Sequence, residues 1–196
     1  MQKLIVKYGP MSSNKTNDLI TNDYKYRVEY GKNSLVLKPA IDTKGSNYIE
    51  SRIGLKRKVN FLIVEKMNLF NTIQDINNRD KIDIIFVDEC QFLTMAQAKD
   101  LYKIAVKLNI PVMCYGIKVD FKNEPFPTMS YLMTMAHSLY ETKTVCKCGN
   151  KATCNIRYIN NKPVFDGSKI EIDNKCKVRY EAVCAECYYK LKYKER

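Results

Sequence analysis

The chain of 196 residues contains no apolar run near the roughly 20 residues that a membrane-spanning helix needs. Its opening, MQKLIVKY, has too short an apolar stretch for a secretory leader. A soluble, cytoplasmic protein with no membrane partner is therefore expected. No internal repeat and no low-complexity tract interrupts the chain, which argues against solenoids and disordered linkers. The single histidine, His137, belongs to no motif and reads as a surface or half-buried helix residue rather than a catalyst. Acidic side chains are in the minority, 21 against 33 basic ones, for a net charge of +12. The Lys residues are scattered, and only GLKRK (54–58) and YYKLKYKER (188–196) concentrate them. Such a charge speaks to solubility and to polyanionic partners in general, and nucleic acid is not the expected partner.

What is present supports a sizeable core, since 45% of residues are hydrophobic and 28% charged. Short apolar runs alternate with helical patterns through the first 143 residues. Strands are expected at 3–8, 33–39, 59–66, 82–89 and 110–116. Helices are expected at 16–30, 67–78, 94–109 and 130–140, with 117–130 as a loop. The run IDIIFVDE (82–89) is apolar throughout, as a central parallel strand covered on both faces would be. Thr94 and Gln97 stand at capping-box spacing ahead of a helix. The order strand, helix, strand, helix predicts an α/β fold with a mainly parallel sheet. After Thr144 the cysteines crowd and the strands shorten, so the organisation reads as an α/β domain over 1–143 and a small domain over 144–196.

YGPMSSNKTN (8–17) follows the first strand and resembles a phosphate-binding loop, G-x-x-x-x-G-K-[ST]. Gly9, Lys15 and Thr16 fill three of its fixed positions, and Asn14 replaces the second glycine. Such a loop turns successive backbone N–H groups and a helix N-terminus toward an anion, with Lys near the phosphates and Thr on Mg²⁺. Asn tolerates left-handed backbone second only to Gly, so the replacement need not abolish the turn, although its side chain stands where it can crowd the phosphates. Gly9, Pro10, Met11, Ser12, Ser13, Asn14, Lys15 and Thr16 are the candidate ATP-binding residues. Asp88, at the end of a buried strand, stands where the Mg²⁺-side acid of such proteins belongs. Glu89 beside it is placed to take a proton from an attacking hydroxyl. Those features fit a kinase with a small acceptor or an ATPase that activates water.

Cys146-x-Cys148 and Cys184-x₂-Cys187 supply four thiolates in two close pairs, the donor set of a structural Zn²⁺. Four protein ligands leave no open position, so the metal would hold a fold and do no chemistry. Cys154 and Cys176 read as packed small side chains. A zinc ribbon of this kind serves as a nucleic-acid module or as a lid over a substrate.

GPM…KT, SRIGL (51–55), VDECQF (87–92), IPVMCYG…DF…PF (110–126), CKCGNKA (146–152) and RYEAVCAECY (179–188) occur in the order found in type II thymidine kinases, and most resemble the bacterial members. The resemblance spans about residues 3–190. It implies a P-loop α/β core with a zinc-bearing lasso, usually in a homotetramer. The implied activity is transfer of the ATP γ-phosphate to the 5′-hydroxyl of thymidine, with Mg²⁺ and dTTP as a candidate feedback inhibitor. It further implies Glu89 as the base and Asp88 as the Mg²⁺-side acid. Asp42, Gln91, Phe92, Met11, Ile117, Phe121, Phe126 and Tyr180 would surround the nucleoside. Two departures stand out: Asn14 in the loop, and a lasso stretch IDNKCKVRY (172–180) without the family's glycine pair. They leave open a catalytically impaired relative that binds nucleotide or nucleic acid without turnover.

Overall fold

The computed structural model describes residues 3–42, 47–167 and 178–194. The chain begins with β1 (Leu4–Tyr8), and the phosphate-loop segment leads into α1 (Lys15–Tyr24), which runs on as a π-helical turn over Lys25–Glu29. Next come β2 (Ser34–Pro39), β3 (Tyr48–Glu50), β4 (Lys56–Lys58) and β5 (Phe61–Ile63). α2 (Leu69–Arg79), β6 (Ile84–Val87), α3 (Met95–Lys107), β7 (Val112–Gly116), α4 (Pro127–Met135) and β8 (Ser138–Glu141) follow. The last elements are β9 (Cys154–Ile159), β10 (Lys162–Val164), β11 (Val178–Val183) and α5 (Ala185–Tyr193).

Six strands form one sheet in the order β5-β2-β6-β7-β1-β8, and every pair in it is parallel. Period-two alternation divides its side chains between two apolar layers. Leu35, Leu37, Ile85, Val87, Val112 and Cys114 face the layer shared with α2, α3 and α4. Val36, Ile84, Phe86, Met113 and Tyr115 face the layer shared with Leu19 of α1 and with Ile49 and Val59 of the β3–β4 hairpin region. Both faces are covered, which is why β6 and β7 are apolar at every position. The capping box at α3 forms as the spacing predicts: Thr94 Oγ1 accepts from Gln97 N, and Gln97 Oε1 accepts from Thr94 N.

Two expected elements differ, and one element was not expected. The strand expected at 59–66 is only Phe61–Ile63, because it lies at the sheet edge and pairs β2 alone. The helix expected at 130–140 starts earlier and stops earlier. Pro127 occupies its first turn, where a missing N–H costs nothing. Ser138–Glu141 then pairs with β1 as the opposite edge strand, so His137 is an exposed linker residue rather than a helical one. Its Nδ1 accepts from Leu4 N at 3.0 Å. The antiparallel β3–β4 hairpin was not expected.

The C-terminal region has its own antiparallel sheet, β10-β9-β11, and its own small core around Ile156, Val183 and Tyr188. Cys154 packs there as expected, and Cys176 lies outside the described residues. No helix among the described residues is long and apolar enough to cross a membrane.

Candidate active site

The carboxyl ends of β1, β2, β6 and β7 open onto one cleft of about 830 Å³, where ligands of open parallel sheets bind. Met11, Ser12, Ser13, Asn14, Lys15 and Thr16 line one side of it, and Glu89 the floor. All eight expected nucleoside residues line it too, including Asp42 after β2, Ile117 after β7 and Tyr180 of β11. Gly9, Pro10 and Asp88 are buried and support the cleft from behind.

Gly9 is required by contact: a Cβ there would stand 2.2 Å from the carbonyl oxygen of Thr142 and 2.6 Å from Ser13 Oγ. Asn14 caps α1 in the left-handed conformation, with φ 68° and ψ 15°. The turn that the missing glycine would have made is therefore made by Asn. Asn14 Oδ1 also accepts from Asn17 Nδ2 one turn on. Lys15 is buried and folded back into its own loop. Its ammonium donates to Gly9 O (3.1 Å), Pro10 O (2.8 Å) and Ser13 Oγ (3.2 Å). Burial lowers its pKa, against the pull of Glu89 and Asp88.

Thr16 Oγ1 and Asp88 Oδ2 face each other at 3.4 Å. Burial, and then the neighbouring Glu89 charge, raises Asp88 to about 7. Two hard oxygen donors at the phosphate-loop helix are what a Mg²⁺ carried by ATP takes up, so these residues fit that ion. Glu89 itself is held at φ 50°, an uncommon conformation for a side-chain-bearing residue and one that clusters at functional sites. Its carboxylate accepts from Gln91 Nε2, while Gln91 Oε1 accepts from Ile117 N at 3.2 Å. Gln91 thus ties the acid at the end of β6 to the end of β7. Gly116 makes room for this, since a Cβ there would approach Gln91 Oε1 to 2.9 Å. Phe92 and Phe126 meet edge to face at 6.1 Å, and Phe121 is buried.

The lasso reaches the cleft through β9. Asn155 Oδ1 accepts from Met11 N, and its Nδ2 donates to Val119 O at 3.2 Å. Arg157 stacks its guanidinium 3.5 Å from the Phe121 ring centre, and Tyr188 Oη donates to Phe121 O at 3.0 Å. Sequence reasoning missed Asn155, Asp120, Ser51 and Arg52 at the cleft. The SRIGL segment was the signal for the last two.

The sulfurs of Cys146, Cys148, Cys184 and Cys187 all lie within 4.8 Å of one another. Tetrahedral Zn–S bonds of ~2.3 Å require sulfurs about 3.8 Å apart, and Cys148 Sγ stands 3.6 Å from Cys184 Sγ. Gly149, at φ 91°, turns the first knuckle. Burial pushes the Cys146 thiol up, but hydrogen bonds from the main chain of Cys148 and Cys184 outweigh it and bring it to about 7. This group could hold a metal such as zinc.

A phosphate loop, an acid pair and a wholly parallel sheet define the chain as an α/β protein of the P-loop class that handles nucleotides. The model of the thymidine kinase family matches it over residues 2–188. It is 36% identical over 189 residues to the thymidine kinase of Francisella tularensis subsp. tularensis, covering 94% of this chain and 95% of that one. It is 38% identical over 187 residues to the thymidine kinase of Coxiella burnetii, covering 94% and 93%. The thymidine kinase of Lactobacillus acidophilus is 36% identical over 196 residues, covering 96% and 97%. The chain belongs to the thymidine kinase family. Among solved structures, the Pif1 helicase of Candida albicans resembles it loosely, with a TM-score of 0.42 at 14% identity over 70% of this chain and 35% of that one.

Proposed function

We propose that this chain transfers the γ-phosphoryl group of ATP to the 5′-hydroxyl of thymidine, giving dTMP and ADP. The observation that supports it most is the meeting, in one cleft, of the phosphate-loop helix, the Glu89 carboxylate and the Phe121–Phe126 wall. Gly9 to Thr16 cradle the phosphates, and the Lys15 ammonium leaves its loop carbonyls to meet them. Thr16 and Asp88 would hold Mg²⁺, which when bound would offset the phosphate charge. Glu89 takes the proton of the 5′-hydroxyl as that oxygen bonds to phosphorus and the bond to the ADP oxygen breaks. Gln91 keeps Glu89 aimed. Met11, Asp42, Phe92, Ile117, Phe121, Phe126 and Tyr180 surround the nucleoside.

In this reading residues 1–143 form the kinase domain, and 144–196 form a lasso stapled by a structural Zn²⁺ on the four cysteines. The lasso shields the cleft from water. Homotetramer assembly, feedback inhibition by dTTP, a cytoplasmic setting and no nucleic-acid partner complete the proposal. The impaired-relative alternative gains no support from Asn14, which makes the turn a glycine would make.

The test is purified protein with Mg²⁺-ATP and thymidine, deoxycytidine, deoxyguanosine or deoxyadenosine in parallel. Thymidine monophosphate as the main product, reduced about 100-fold or more with Glu89→Gln, is expected. No monophosphate from any nucleoside would overturn the reading.

A further inference from the structure

Among the described residues lining the cleft, Asp42, Glu50, Glu89 and Asp120 are acidic and only Lys15 and Arg52 are basic. Among these described residues, acidic side chains outnumber basic ones where a triphosphate would enter. The ammonium of Lys15 has all three of its donors engaged within its own loop. Arg52 is the opposite case. It is exposed and makes no hydrogen bond or ion pair among the described residues. It lines the main cleft beside the phosphate loop and also a smaller adjoining cleft of about 340 Å³ with Ser12 and Tyr180, so it stands at the wall between them. Its charge is close enough to Lys15 to help lower that residue's pKa.

The backbone that carries Arg52 is firmly held. It sits in a tight turn between β3 and β4, closed by Ser51 N to Leu55 O (2.9 Å), Gly54 N to Ser51 O (3.0 Å) and Leu55 N to Ser51 Oγ (3.0 Å). Ser51 is buried, and Ile49 packs against the sheet. From β4, Arg57 Nε donates to Asp23 Oδ2 at 2.7 Å. Asp23 belongs to α1, the helix that Lys15 and Thr16 open. The hairpin is thus clamped to the phosphate-loop helix, and among the described residues the charged Arg52 side chain at its tip makes no hydrogen bond or ion pair.

We propose that Arg52 is a catalytic residue whose guanidinium engages the γ-phosphoryl group during its transfer. The proposal rests on the phosphotransfer reading above. Charge spreads over the three equatorial oxygens of the migrating group, and a planar fork of N–H donors matches two of them at once. Arg52 donates hydrogen bonds and is not consumed. The bonds made and broken, and the proton passed to Glu89, are those already described.

The experiment compares the unmutated chain with Arg52→Ala and Arg52→Lys at saturating Mg²⁺-ATP and thymidine. Melting temperature and equilibrium ATP affinity are measured beside turnover. Arg52→Ala is expected to lower kcat about 100-fold or more, with ATP affinity within about fivefold and an unchanged melting temperature. Arg52→Lys is expected to recover only part of the loss, because a point charge lacks the fork. Added guanidinium ion at millimolar concentration is expected to raise the Arg52→Ala rate, an effect that a purely structural role would not give. A kcat within threefold of the unmutated value, or a loss confined to KM for ATP, would overturn the assignment while leaving the kinase reading intact. An unmutated chain that phosphorylates no nucleoside would overturn both.

Discussion

The main-chain N–H of Met11 donates a 2.8 Å hydrogen bond to Oδ1 of Asn155, joining the phosphate loop to the first strand of the lasso sheet. The Nδ2 of the same Asn155 side chain donates to Val119 O on the far wall. One buried side chain thereby sets the width of the cleft between the loop that would hold ATP and the segment that would hold the base. Asn155→Ala leaves both backbone groups unpaired, at a cost of about 1–3 kcal/mol. The expected outcome is a lower melting temperature together with raised KM for both ATP and thymidine. A change in one KM alone would contradict the bridge.

Glu89→Gln keeps the shape of the side chain and its contact with Gln91, yet removes the proton acceptor. Turnover is expected to fall roughly 10²–10⁴-fold, with ATP binding retained. Single-turnover kinetics beside equilibrium binding separates the two effects. Unchanged turnover would sink the assignment of the base.

Asn14 allows a two-sided test, because its φ of 68° suits glycine best and asparagine next. Asn14→Gly is expected to hold or raise activity. Asn14→Ala is expected to cost about 1 kcal/mol from the left-handed backbone alone, read as a melting shift of about 2–4 °C. A large loss of activity in the glycine variant would show that the asparagine side chain itself contacts the phosphates.

At Gly9, Gly9→Ala sets a methyl group against the backbone of Thr142, which follows the edge strand β8. A backbone oxygen cannot swing aside as a side chain can. The expected result is destabilisation on the order of 1–3 kcal/mol with loss of ATP affinity, measured by denaturant titration and nucleotide binding. Wild-type stability would mean that the loop and β8 move apart freely.

Cys146→Ser removes one sulfur from the cluster. Metal analysis is expected to show lost zinc, and KM for thymidine is expected to rise as Asn155 and Tyr180 loosen with the lasso sheet. Full zinc content in the variant would refute the four-cysteine ligand set.

Much of this was readable in the residues because it is local. The phosphate loop, the acid pair and the two cysteine knuckles are each set by spacing within a few residues, and the buried strands announce themselves by apolar runs. The β3–β4 hairpin was not legible: KRK at 56–58 has no alternation of apolar and polar residues, and what covers it comes from α1. The boundary between α4 and β8 was hidden because SYLMTMAHSLY suits a helix as well as a strand, and pairing with β1 decides it. Asn155 carries no local signal, since its two partners are backbone atoms brought to it by the tertiary fold.

The strand order β5-β2-β6-β7-β1-β8 has a kinetic meaning. β1 precedes every other described strand, yet its two neighbours, β7 and β8, come far later in the sequence. During synthesis the segment that ends in the phosphate loop must wait, apolar and unpaired, until most of the sheet has emerged. Pairings so distant in sequence close slowly and leave strand edges open meanwhile. The nucleotide-binding loop is thus among the last parts of the sheet to be fixed, and nascent chains stopped before β7 would expose Leu4, Ile5 and Val6 to chaperones or to one another.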